Sequence, residues 1–163
     1  LTLTALTACV LQSPQPLFAE KQGVPALKGL GTRFSTEAFT DGAWKAEEGV
    51  ITFTAEGQHY IASNAKDKAT VPMLFVKLGG ARYVLQAREG TDKPVIYLIA
   101  EVKDRHVLLQ PLFCDELKKL PKADETATFE NMDCTIKGTP GTSTFSTLAG
   151  QIAPAKLRLV PVE

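Results

Sequence analysis

The chain is short of most features that would betray a function. Its 18 Lys and Arg balance its 18 Asp and Glu. No basic surplus therefore points to nucleic acid, and no acidic run points to a basic partner. No apolar run reaches the length of about 18 residues that a membrane-spanning helix needs. Chemistry-bearing motifs are missing too. There is no P-loop, no Gly-x-Ser-x-Gly and no Ser-x-x-Lys set, and Gly29-Leu30-Gly31 lacks both the third glycine and the preceding strand of a dinucleotide site. The two histidines, His59 and His106, are the only side chains suited to proton transfer near neutral pH, and neither has a second metal ligand at a binding spacing. Asp115 and Glu116 are adjacent, so on a helix they diverge by about 100° and cannot face one substrate. The expectation is a non-enzymatic protein without a cofactor, with an enzyme of unknown class as the remaining alternative.

What is present is the composition of one globular domain: 163 residues, 44% apolar and 22% charged. Such a chain can bury a core without depending on metals or disulfides.

The first nine residues carry the strongest signal. Leu1-Thr2-Leu3-Thr4-Ala5-Leu6-Thr7-Ala8-Cys9 is uncharged, mildly apolar and rich in small residues, as at the end of an export signal. Leu6-Thr7-Ala8-Cys9 resembles the lipobox of bacterial lipoproteins. That resemblance implies a diacylglycerol on the Cys9 sulfur, cleavage just before it, and a lipid-anchored, periplasm-facing place in the cell envelope. Cleavage after Ala19, giving a free periplasmic protein, is the competing reading. Beyond Cys9, Gln12 to Gln22 holds Pro14 and Pro16 and shows no apolar period, as an extended tether would. The expected organisation is a signal and lipobox over 1–9, a flexible tether over 10–28 and a single β-rich domain over 29–163.

Cysteine count agrees with export. Three cysteines are odd for such a chain, but with Cys9 acylated, Cys114 and Cys134 remain as a pair. A disulfide between them closes a loop of about 21 residues and contributes roughly 3 kcal/mol in the chain-entropy model. The alternative is a reactive Cys114 at a helix start, which the neighbouring Asp115 and Glu116 disfavour as a thiolate.

From about Arg33 onward, short alternating runs are divided by turn signals at Asp41-Gly42, Glu48-Gly49, Glu56-Gly57, Gly79-Gly80 and Glu89-Gly90. Ile51, Phe53 and Ala55 share one face of their run; Tyr83, Leu85 and Ala87 share another. Ile96, Leu98, Ala100 and Val102 do the same, Val107 to Phe113 follows, and Lys156 to Val162 alternates as a last strand. Period-two alternation with short connections predicts a mainly β, antiparallel meander closing into a small barrel or sandwich. Two short helices are expected late: Cys114 to Leu120, stopped by Pro121, and one carrying Phe145, Leu148, Ala149 and Ile152 after capping candidates Thr142 and Ser143. Gly42-Ala43-Trp44 resembles the Gly-x-Trp that opens lipocalin barrels, which implies a Trp plugging the closed end. The later Thr-Asp-x-Tyr pattern of that family is absent.

These readings converge on an envelope lipoprotein with a small barrel that takes a lipid or other apolar molecule in its mouth. Phe53, Tyr83, Leu85, Ile96 and Leu98 are then the candidate ligand-lining residues. The rival is a protein-binding module, such as an inhibitor or assembly accessory of envelope enzymes. A filled interior with an exposed apolar or charged patch would favour the rival.

Overall fold

The structure, a computed structural model, describes residues 9–66 and 68–162. The expected signal over 1–8, with the Leu6-Thr7-Ala8 part of the lipobox-like run, lies outside the described residues. Eleven strands form one sheet: β1 (Leu11–Ser13), β2 (Arg33–Thr40), β3 (Ala43–Glu56), β4 (His59–Asn64), β5 (Thr70–Gly79), β6 (Arg82–Ala87), β7 (Val95–Val102), β8 (Val107–Pro111), β9 (Ala127–Glu130), β10 (Asp133–Ile136) and β11 (Leu157–Pro161). Three short helices accompany them, α1 (Cys114–Lys118), α2 (Ala123–Thr126) and α3 (Thr142–Gln151).

Eight of the strands close an antiparallel barrel in the order β6-β5-β4-β3-β2-β11-β8-β7, with β7 pairing back onto β6. Of the barrel or sandwich expected from the alternation, the structure is the barrel, and its form fits the lipocalin-like alternative. The inward sets agree as well: Ile51 and Phe53, Leu85 and Ala87, and Ile96, Leu98 and Ala100 all belong to the inner cluster. Tight turns make the meander feasible. Asp41 and Gly42 both take positive φ, 53° and 78°, as the shortest hairpin turns require.

Glu48-Gly49 is not a turn. It lies inside the 14-residue β3, where the register with β2 jumps from Ser35–Val50 to Glu37–Ala46. Gly49, at φ 103°, supplies the backbone freedom that this bulge needs. The correction has a plain cause: a Gly after a polar residue signals a bulge as readily as a turn when the strand resumes on both sides.

A second layer covers part of the barrel wall. β1 joins the start of β7, runs parallel to β10, and β9 completes this side sheet. Together with α1 and α3 it packs on the outer faces of β5, β6 and β7, making a second hydrophobic cluster around Leu74, Val84, Tyr97, Ile99, Leu117 and Phe145. The wall between the clusters is therefore apolar on both faces, and Val95 to Ala100 is buried without interruption.

The expected tether over 10–28 is part of the domain. Val10 and Leu27 are buried in the inner cluster, and Leu11 and Phe18 in the outer one. No period marks this segment because each apolar residue enters a different site, so extended chain with two prolines looked like a spacer. The late helices also differ in detail. α1 ends at Lys118, and α3 is preceded by Gly141 as N-cap, with Thr142 and Ser143 inside the helix.

Candidate functional site

The barrel interior is the first place to look, and its own side chains occupy it. Phe34, Phe53, Tyr60, Phe75 and Tyr83 form a chain of edge-to-face ring contacts, with centroids 5.4 to 6.3 Å apart. Each such contact adds about 0.5–1.5 kcal/mol to area burial. The five residues expected to line a ligand do meet on the inner face: Phe53, Leu85, Ile96 and Leu98 are buried there, and Tyr83 packs against them half-buried. They act as core. Both ends are covered by the segment taken for a tether. Leu27 packs into the inner cluster with its N–H donating to Tyr60 Oη at 3.2 Å, and Val10 enters near Phe113, to which it is β-bridged.

Trp44 is not a plug either. It stands on the outer face of β3 opposite Phe39, 5.4 Å between ring centroids, with the Arg158 guanidinium 4.4 Å above its ring. Arg158 also donates to Glu37 at 2.9 Å. Alternation along β2 decides the side: Phe34 and Thr36 point in, so Glu37 and Phe39 point out.

The more distinctive concavity lies outside the barrel, where residues 14–23 cross the outer wall as a strap. Gln86 fastens it. Its Oε1 accepts from the Leu17 and Phe18 N–H groups at 3.1 and 3.0 Å, and its Nε2 donates to Phe18 O at 3.0 Å. Tyr97 adds a second fastening: its hydroxyl lies 2.7 Å from Ser13 Oγ and accepts from the Leu17 N–H at 3.1 Å. Burial pushes the Tyr97 phenol up from its ordinary value, against the opposing pull of the Ser13 and Leu17 hydrogen bonds. At the strap's far end Glu20 Oε1 meets His59 Nδ1 at 2.8 Å, and Glu56 lies 3.4 Å from the other ring nitrogen. Gly23 completes the seam. A Cβ there would stand 2.3 Å from both Gln58 O and Leu74 Cδ1, so only glycine lets the two backbones approach.

Beside this strap runs a groove of about 500 Å³, with Pro16, Phe18, Pro72, Leu74 and Val95 among its walls. Arg88 sits at one end, held by the Lys93 and Thr91 carbonyls at 2.8 and 2.6 Å, and His59 with Glu20 at the other. The groove's lining is mainly apolar, with Glu20, His59, Gln86, Arg88 and Glu89 among its polar members, a mixture that suits small amphipathic molecules. Sequence reading missed it because its walls come from strands and strap far apart in the chain. Gln86, a buried polar residue on an otherwise apolar strand, was the signal that could have pointed there.

Cys114 and Cys134 are joined, with Cα atoms 5.6 Å apart, as expected. Cys9 is free and half-buried. His106 is half-buried beyond the Lys103-Asp104-Arg105 turn, apart from the groove. Among the described residues no group of three His, Cys, Asp or Glu side chains is arranged to hold a metal ion. Comparison with family models, curated proteins and solved structures finds no match to this chain.

Proposed function

We infer that this is a non-enzymatic lipoprotein of the bacterial envelope, held through Cys9, whose barrel is a rigid frame for binding a lipid or other small apolar molecule. The outer groove beside Phe18 carries the reading. It has the volume and apolar lining of a small-molecule site, whereas the barrel interior is taken up by its own aromatic residues. The ligand's apolar body lies along Pro72 and Leu74, and Arg88 is placed to meet a polar or anionic end.

The test is titration of the purified protein with fatty acids of increasing length and with a fluorescent apolar probe. Pro72 is exposed on the groove floor, so Pro72→Glu puts a charge there without touching the core. Saturable binding that weakens roughly tenfold in Pro72→Glu supports the site. Binding that survives Pro72→Glu but changes with Phe53→Ala moves the site into the barrel.

Two observations favour the protein-binding alternative: the barrel interior is filled by its own side chains, and an aromatic patch is exposed outside it. Phe39 is 40% exposed beside Trp44 and Arg158, and aromatic residues with arginine are the types that dominate protein interfaces. An inhibitor or assembly accessory of envelope enzymes would present this patch. Loss of a co-purifying envelope protein in Phe39→Ser, with ligand titrations flat, would identify it.

A further inference from the structure

Cys9 is fixed in space. Its carbonyl accepts from the Cys114 N–H at 2.7 Å, Leu11 N–H donates to Leu112 O at 2.8 Å, and Val10 between them is 1% exposed in the inner cluster. There is no slack between the cysteine and the core. Whatever Cys9 carries is therefore held against one face of the domain.

That face has an apolar character of its own. Beside Cys9 opens a cleft of about 460 Å³ with Phe113, Phe129 and Met132 in its walls. Met132 is 72% exposed; it and Phe39 are the two exposed large apolar side chains among the described residues. It stands at the tip of the β9–β10 hairpin, and the Cys114–Cys134 disulfide ties that hairpin to α1, the helix next to Cys9. The exposed methionine is thus held rigidly beside the attachment point. Nothing in the inner core needs it there.

We propose that this cleft and the Met132 tip form the surface by which the domain lies on the bilayer, with Met132 entering the interface beside the lipid on Cys9. The proposal rests on the reading of Cys9 as the anchor. A lipid attached without a tether leaves the domain no choice but to rest near the membrane, and a rigid apolar tip beside it converts nearness into a fixed orientation. The charges select the kind of lipid. Asp115, Glu116 and Asp133 rim the cleft against Lys118 alone, so the surface suits a zwitterionic leaflet better than an anionic one.

The experiment uses the full chain expressed for export, purified from membranes and reconstituted in vesicles. Met132→Trp introduces a reporter, and native Trp44 in the unsubstituted protein is the built-in control, since it lies on the outer face of β3 and does not line the cleft. Phospholipids brominated on their acyl chains quench tryptophan only within the bilayer. In phosphatidylcholine vesicles the introduced tryptophan should lose roughly half its emission, as expected for burial of about 5–10 Å, while Trp44 is unaffected. Replacing a third of the lipid by phosphatidylglycerol should weaken the quenching. Intact mass separates the two layers of the argument. A diacylglycerol-bearing Cys9 with an unquenched reporter leaves the anchor standing and overturns the proposed surface. An unmodified Cys9 removes the anchor reading and the orientation with it.

Discussion

The two hydrophobic clusters of this protein share one wall and are held together by different means. Inside the barrel, ring-on-ring contacts and alternating aliphatic residues fill the space, and polar groups scarcely enter. Outside, the covering layer depends on single fastenings: the Gln86 and Tyr97 hydrogen bonds, a disulfide, and a glycine that permits close approach. The inner cluster is closed by the geometry of the sheet. The outer one is assembled piece by piece, and the groove lies where its pieces do not quite cover the wall.

If that contrast is right, equal losses of volume on the two sides should act differently. Phe53→Ala and Phe145→Ala each remove a buried ring and should each cost about 3–5 kcal/mol. Phe53 supports the barrel, so its loss should lower protection from hydrogen exchange everywhere. Phe145 packs on Phe18 and Tyr97, at 5.6 and 5.3 Å between ring centroids, so its loss should free α3, β1 and the strap while β2 to β4 stay protected. Uniform loss in both variants would mean that the two clusters unfold as one.

Breaking the disulfide sharpens the same comparison. Cys114→Ala with Cys134→Ala opens a link spanning 20 positions and should cost about 3 kcal/mol by urea unfolding. The exchange it releases should be confined to β9, β10 and α1. A smaller loss is expected at the strap. Gly23→Ala forces a methyl against Gln58 O and Leu74, which should cost about 1–3 kcal/mol and raise proteolysis between residues 14 and 23.

The smallest effect belongs to a charge on the barrel wall. Lys103, helped by Arg82 at 3.2 Å, holds the Glu101 carboxyl below the ordinary carboxylate range against the opposing effect of burial. A depressed carboxyl contributes stability above its unfolded pKa and loses it as pH falls through the folded one. Glu101→Gln should therefore cost roughly 0.5 kcal/mol near pH 7, the pair being well solvated. The gap from the unsubstituted protein should close in urea titrations near pH 3. A gap independent of pH would assign the effect to packing.

How much of this was legible in the sequence follows the same division. Where one face of a strand is wet, as around Ile51 and Phe53, alternation announced the strand and its inward side. β7 was legible only by half: Ile96, Leu98 and Ala100 read as one face, while Val95, Tyr97 and Ile99 are buried on the other by elements that the pattern does not reveal. The strap stayed hidden because its order comes from partners about 70 positions away, such as Gln86 with Phe18. β9, β10 and α2 are too short to show a period. Their hairpin depends on Asn131 at φ 55°, a turn residue that carries little weight on its own. The cysteine pair was recoverable by counting: with Cys9 set aside as a lipidation candidate, Cys114 and Cys134 were the two left to join.

The barrel is sealed by its final strand. β11 lies between β2 and β8, pairing with β2 from Leu157 to Pro161 and with β8 from Leu157 to Leu159, so the ring of hydrogen bonds stays open until residues 157–161 are in place. A chain emerging amino end first, from a ribosome or through a translocation pore, holds β2 and β8 as unpaired edges for most of its passage. Long-range closure of this kind is slow, and it leaves hairpins ready to associate with one another meanwhile. The same delay keeps the barrel's edges open until β11 arrives, so the position of one five-residue strand sets how long the nascent chain is exposed to association.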